Sequence, residues 1–414
     1  MWWGEAPRVR LLCGGLNMFT ALTFVQVLRR LFVPGISVED TMTWWGAWSI
    51  VLDGRGRTVY QPAAQLVAQR RWISIGSPGE VAAWAFPPPH TFAFSPLAML
   101  SPWGLYALLS VLSAVVWLGT VRSMAKWARA RSVAWSADTV AMFVAAALAF
   151  SPAMGTIRYG SFSILVVAAL WRVFCLVELP STTPGRGAKA AFWLAFAALK
   201  PQMILFAGLG LLRRRFRIVA GAGIILSILT VAICSVVGWG LLGDWFAINR
   251  SYTAKNVGAA VDRMWTFRGV LTRVFGVGHT VTIVWQLVFV ATLVCLAVLW
   301  HRARNADRFL TVLAASLALQ CVGFPYQSSY DAVLMVPSVL LAIEVARRVA
   351  PKLARILGAC SVLSAAFVLS GAWNERLPGL FWRFPLPAIL VWAATGLVLT
   401  IAIRCSWREA ERSE

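Results

Sequence analysis

Apolar runs recur along this chain at roughly 11–33, 103–121, 137–156, 161–178, 218–240, 280–300, 308–324, 332–346, 354–372 and 384–403. A helix needs about 20 apolar residues to cross the hydrocarbon core of a bilayer, so this pattern constrains the fold more than any other feature. A soluble domain would have to bury all of these runs at once. Composition excludes that outcome: 59% of residues are hydrophobic and 13% charged, against about 45–50% and about 25% in soluble domains. The expected architecture is an all-α polytopic membrane protein of about 10–12 transmembrane or re-entrant helices, forming a single domain over residues 1–414. The 22 Trp agree with it, since indole rings concentrate at bilayer interfaces.

The formal net charge of +22 does not make a nucleic-acid surface. The basic residues form short clusters between apolar runs, as cytoplasmic loops do. With the N terminus inside, the inner loops hold 22 of the 38 Lys and Arg, and both termini fall on the cytoplasmic side of a plasma membrane. The outer face then carries the two long loops, 34–90 and 241–279. Loops longer than about 12–15 residues are uncommon unless functional, so function is expected on the extracytoplasmic face. The seven Cys lie almost all inside apolar runs without metal-ligand spacing, which indicates buried thiols. No small-residue cleavage site follows the first apolar run, and no cleavable leader is expected.

Asp40 and its neighbour Glu39 stand just past the outer end of the first run. Trp44, Trp45, Trp48, Val51 and Leu52 follow at helical spacing, so an interfacial helix with its Trp face in lipid is expected. Asp40 has two readings: a base held over the bilayer, or the cap of that helix through Ser37-x-x-Asp40. Pro87-Pro88-Pro89-His90 opens a short apolar stretch up to Ser101-Pro102, expected as a re-entrant or interfacial helix that lines a cavity, with His90 at its mouth. Arg158 joins two runs on the outside and could hold a phosphate or reach head groups. Lys200-Pro201 interrupts an apolar stretch whose two ends both carry inner-type charge, which predicts a hairpin with Lys200 at its tip. A cation at that depth is expensive, and a lipid phosphate is its natural partner. Arg268 lies among aromatics of the second outer loop, and Tyr330-Asp331 supplies another carboxylate beside phenols.

Four segments together resemble glycosyltransferase family 87. They are Asp40 with Trp44, Ala47, Leu52-Asp53-Gly54 and Tyr60; Phe86-Pro87-Pro88 with Ser95-Pro96-Leu97; Ala198-Leu199-Lys200-Pro201-Gln202; and Pro325-Tyr326 with Tyr330-Asp331 and Pro337. The chain departs from the pattern at Gly160-Ser161, where members often have Gly-Gln. It also has Tyr330 where some members, including mycobacterial phosphatidylinositol-mannoside mannosyltransferases, have His. The resemblance implies a GT-C fold and an inverting transfer of a hexose or pentose, such as mannose, from a polyprenyl-phosphate donor to a glycolipid or glycan acceptor. It implies Asp40 as general base, Lys200, Arg158 and Arg268 at the donor phosphate, and Glu39, His90, Tyr330 and Asp331 as substrate contacts. No Asp-x-Asp motif is present, and no metal or other cofactor is expected. A polytopic transporter or flippase is the competing class; it would show a polar path through repeated halves. Asp40, Lys200, Tyr330 and Asp331 are expected to share one outward-facing hollow.

Overall fold

In the computed structural model the described residues are 6–32, 39–71, 84–131, 135–178, 183–259, 264–303, 305–324, 328–366 and 386–407. Among them the chain forms 18 α-helices and no strand. The first half holds α1 (Pro7–Phe32), α2 (Glu39–Leu52), α3 (Pro62–Arg70), α4 (Pro88–Phe94), α5 (Pro102–Arg131), α6 (Ala137–Ala149), α7 (Ser151–Tyr159), α8 (Ser163–Glu178) and α9 (Arg186–Ala197). The second half holds α10 (Leu205–Arg214), α11 (Phe216–Val237), α12 (Gly240–Ala259), α13 (Phe267–Phe275), α14 (His279–Arg302), α15 (Ala306–Gly323), α16 (Met335–Val349), α17 (Pro351–Ala366) and α18 (Leu386–Trp407). Short 3-10 turns at Ser95–Met99, Pro201–Met203 and Ser329–Leu334 join several of them.

Among the described residues five helices are long and apolar enough to cross a membrane: α5, α11, α14, α15 and the Ile389–Ser406 part of α18. The pair α6 and α7, bent by 41°, makes a sixth if it crosses as one unit. The protein is a multi-pass membrane protein. The expected run at 137–156 breaks because Pro152 in the first turn of α7 has no N–H to continue the ladder of α6. The 16 residues of α8 and the 15 of α16 reach only about 22–24 Å at ~1.5 Å per residue, short of a ~30 Å core. Helix starts follow ordinary capping chemistry. Ser136 accepts from the Thr139 N–H, Thr266 from the Gly269 N–H and Asn305 from the Arg308 N–H.

Burial sorts the crossing helices. The apolar window of α15 is 78% buried inside the protein, whereas those of α11 and α14 are 17% and 11% buried. The main core therefore gathers around α15, α16 and α8, and α11 and α14 turn most of their apolar surface outward, where a bilayer replaces water as solvent. At two other places an indole N–H bonds a carboxylate that an arginine also reaches. Trp127 donates to Glu178 at 2.6 Å, with Arg131 paired to Glu178 and stacked over Trp127. Trp135 donates to Glu344 at 2.7 Å, with Arg348 at 3.5 Å and Arg347 over the Trp135 ring at 4.2 Å.

Three expectations need correction. Helix α2 does not lay its Trp face in lipid: Trp44, Trp45 and Trp48 are 3%, 7% and 0% exposed. Trp45 donates to the Leu100 carbonyl at 2.9 Å, and Trp44 and Trp48 pack on aromatic rings from residues 84–94. The segment at 84–94 thus supplies a protein surface that buries these rings in place of lipid. Second, the stretch that the prolines open is not one helix up to Ser101: α4 ends at Phe94 and a 3-10 turn covers Ser95–Met99. Pro88 and Pro89 occupy the first turn of α4, where a missing N–H leaves no bond unmade. Third, His90 is not at a mouth; it is 1% exposed. Ser37, the proposed capping partner of Asp40, lies outside the described residues, as do Pro325, Tyr326 and the side chain of Glu39.

Candidate active site

The junction between α7 and α8 organises the site. Gly160 ends α7 in the left-handed region, at φ +63°, which only glycine adopts at little cost. A Cβ there would also stand 2.5 Å from Thr41 Oγ1 and 3.2 Å from the Tyr106 ring. That close approach lets three serine or tyrosine hydroxyls of α5 bond carbonyls of the junction. Tyr106 donates to Arg158 O at 2.9 Å, Ser110 to Ile157 O at 2.9 Å, and Ser113 to Ser161 O at 3.4 Å. From the other side Thr41 Oγ1 donates to Tyr159 O at 3.2 Å. Asp40, half-buried at the second position of α2, is therefore one residue from the contact that docks α2 on this junction.

Beneath the junction three polar side chains meet in a buried cluster. Lys200 stands at the break between α9 and α10 and is 3% exposed, and Asp331, in the turn before α16, is 2% exposed. Lys200 pairs with Asp331, and its ammonium also donates to Ser163 Oγ at 2.7 Å. The Ser163 hydroxyl in turn donates to Asp331. Lys200 Nζ lies 5.2 Å from the centroid of the Tyr330 ring, a cation–π contact that helps hold a desolvated charge. Two acceptors and one aromatic face inside the protein thus compensate the ammonium, as a buried charge requires.

The short segment Ser328–Asp331 connects all three candidate cations. Asp331 holds Lys200. Tyr330 accepts from Thr156 at its carbonyl, 3.4 Å away, and its ring lies 5.9 Å from that of Tyr159, next to Arg158. Ser328 forms an isolated antiparallel bridge with Met264, two residues ahead of the Thr266 cap of α13, which carries Arg268. Arg158 stands 5.8 Å from the Tyr159 ring and Arg268 5.0 Å from the Trp285 ring. Both guanidiniums are half-buried and, among the described residues, neither forms an ion pair. Their Nε atoms are buried without a hydrogen-bond partner. Burial pulls the Arg268 pKa below its ordinary value.

His90 lies in a separate chamber beside this cluster. Six aromatic rings (Trp44, Trp48, Trp84, Phe86, Phe94 and Phe162) have centroids 4.8–6.0 Å from the imidazole. Phe162 precedes Ser163 and forms the shared wall. His90 belongs to α4, outside the membrane-spanning helices. Burial pushes its pKa down to about 3, and the nearby Lys200 charge acts in the same direction, so the ring is neutral.

This fold and this buried ion pair accompany a family signature. The sequence profile of glycosyltransferase family 87 matches residues 84–325, more than half of the chain. The chain belongs to glycosyltransferase family 87. No curated protein and no solved structure matches it. As a family 87 member the protein is a membrane glycosyltransferase, which displaces the transporter reading. The match takes in His90, Arg158, Lys200 and Arg268 but not Asp40, Tyr330 or Asp331. Two apolar pockets lie elsewhere. One is walled by Phe143, Phe150, Met335 and Val391, the other by Trp171, Phe309 and Leu341, and no candidate residue lines either.

Of the residues singled out from sequence, the fold brings Lys200, Tyr330 and Asp331 into contact and sets Arg158 and Asp40 at the adjoining junction. It does not bring His90 into that hydrogen-bonded cluster. Sequence reasoning missed Ser163, which links Lys200 to Asp331. The signal was faint: a left-handed glycine followed by two serines, Ser161 and Ser163, which bond each other at 3.2 Å.

Proposed function

We propose that this family 87 enzyme moves a neutral hexose or pentose from a polyprenyl-phosphate donor to a hydroxyl of a glycolipid or glycan acceptor, at the extracytoplasmic face of the plasma membrane. Asp40 acts as general base and takes the proton of the acceptor hydroxyl as its oxygen attacks the anomeric carbon. The bond from that carbon to the donor phosphate oxygen breaks, the configuration inverts, and the lipid phosphate leaves with an added negative charge. Lys200, Arg158 and Arg268 stabilise that charge, and Glu39, Tyr330 and Asp331 orient the two substrates.

One observation carries this reading: four consecutive residues, Ser328–Asp331, contact the elements bearing all three cations. Asp331 offsets the charge of Lys200 and fixes its position. Arg158 and Arg268 then remain as two guanidiniums without a carboxylate among the described residues, suited to a phosphate whose charge grows in the transition state. Their planar donors hold phosphate bidentately, which supports catalysis through fixed side chains.

The test is transfer from a panel of labelled polyprenyl-phosphate sugars to membranes containing the full chain. Asp40→Asn keeps the size of the side chain and removes the base, so transfer is expected to fall by at least about a hundredfold with expression unchanged. Normal turnover in Asp40→Asn would remove Asp40 from the mechanism.

A further inference from the structure

The polar atoms around the His90 chamber are tied up with great regularity. Gln65 donates to Val59 O at 2.7 Å and accepts from the Trp84 N–H at 2.7 Å. The Trp84 indole donates to Thr91 Oγ1 at 2.8 Å, and Tyr60 donates to Phe86 O at 2.7 Å. Trp245 and Asn249 both donate to Ala85 O at 3.0 Å. Against that background three nitrogens inside the chamber have no partner among the described residues: Trp48 Nε1 and both ring nitrogens of His90. Trp48 and His90 are 0% and 1% exposed, and their rings lie 6.0 Å apart at 31°. Buried polar groups are almost always hydrogen-bonded, and exceptions call for a cause. Three exceptions on two neighbouring rings point to a ligand that supplies both donors and acceptors.

The walls restrict what that ligand is. A phosphate fits poorly, because six aromatic rings surround the imidazole and none of them supplies a cation. A polyprenyl chain would leave the nitrogens as they are. A sugar satisfies both demands: its C–H faces stack on aromatic rings, and each hydroxyl donates and accepts. The placement fits as well. Asp40, Trp44 and Trp48 follow at four-residue intervals on α2 and so share one helix face, with each step about 6 Å along the axis. Phe86, His90 and Phe94 repeat that interval on the facing segment, and Phe86 is partly exposed while it stacks on the imidazole at 4.8 Å and 30°. Phe86 is thus a flat, partly exposed ring stacked on one face of His90.

We propose that Trp48 and His90 form a subsite for a neutral sugar ring, which takes the place of Phe86 against the imidazole and lies within about 12 Å of Asp40 along the axis of α2. This deepens, and rests on, the glycosyl transfer proposed above; the ring belongs either to the donor or to the acceptor.

The test uses the full chain purified in a sugar-free detergent, with methyl α-mannopyranoside, methyl α-glucopyranoside, farnesyl phosphate and a farnesyl-phosphoryl sugar as probes of thermal stability. A methyl glycoside is expected to raise the melting temperature of the wild type. His90→Phe and Trp48→Phe keep an aromatic ring and remove the nitrogens, and each is expected to weaken glycoside binding about tenfold, the value of one neutral hydrogen bond. Farnesyl phosphate should stabilise both variants as it does the wild type. Phe86→Leu should bind the glycoside more tightly, since the competing ring is gone. Additive stabilisation by glycoside and farnesyl-phosphoryl sugar assigns the ring to the acceptor, and mutual exclusion assigns it to the donor; either supports the subsite. Unchanged glycoside binding in His90→Phe and Trp48→Phe, or no glycoside effect on the wild type, overturns it. That result is separable from the base assignment, because Asp40→Asn is read by turnover and these variants by binding.

Discussion

The pair Lys200–Asp331 offers the sharpest test of how this site is held together. Both side chains are 3% exposed, so neither charge can be hydrated if its partner is removed. Breaking a buried pair from one side typically costs about 3–5 kcal/mol, because the survivor is left uncompensated. Lys200→Met should fall in that range, as the Asp331 carboxylate would keep only the Ser163 hydroxyl. Asp331→Asn should sit at the lower end, about 3 kcal/mol, since the amide oxygen still accepts and Tyr330 still faces the ammonium at 5.2 Å. The double variant has no buried charge and should recover at least about 2 kcal/mol of the summed losses, within the range of coupling energies for residues in contact. Reversible unfolding in mixed micelles, followed by circular dichroism, measures all four corners of the cycle. Losses that add without coupling would refute the contact itself. Donor binding separates structure from function: the double variant should be well folded and yet fail to bind farnesyl phosphate, and full binding in that variant would make Lys200 a structural cation only.

Gly160→Ala forces a Cβ into the left-handed region and against Thr41 Oγ1, 2.5 Å away; it should cost about 1–3 kcal/mol and reduce turnover by displacing α2, whereas Gly243→Ala, with open space at its Cβ, should do neither in the same assays. His90 makes a pH prediction with a definite sign. Its folded pKa of about 3 lies below the ordinary 6.5, so the unfolded chain binds a proton that the folded chain refuses as pH falls between those values. Stability should therefore drop on acidification below pH ~6.5 by up to about 1.4 kcal/mol per unit from this group. His90→Phe should flatten that part of the curve, and an unchanged slope would show the imidazole to be protonated in the fold.

Much of this enzyme is written in local chemistry. Runs of apolar residues at bilayer length determine a helical membrane protein because each backbone polar group must be satisfied within its own segment. The oddity of a lysine in such a run marked Lys200 for the same reason. The four-residue intervals Asp40–Trp44–Trp48 and Phe86–His90–Phe94 were also present in the sequence, as two helical faces without stated partners.

What faces them was decided by tertiary structure. The Trp residues of α2 look equally suited to lipid and to protein, since an indole has one apolar body and one donor in either place; only the aromatic segment at 84–94, folded back over α2, resolves the choice. The partner of Lys200 was undetermined for a similar reason. Asp331 lies 131 positions away, and no periodicity links a break between half-length helices to a 3-10 turn before α16. A buried ion pair depends on what the rest of the fold excludes from it, namely water, and that exclusion exists only once α7, α8, α15 and the Ser329–Leu334 turn have packed together.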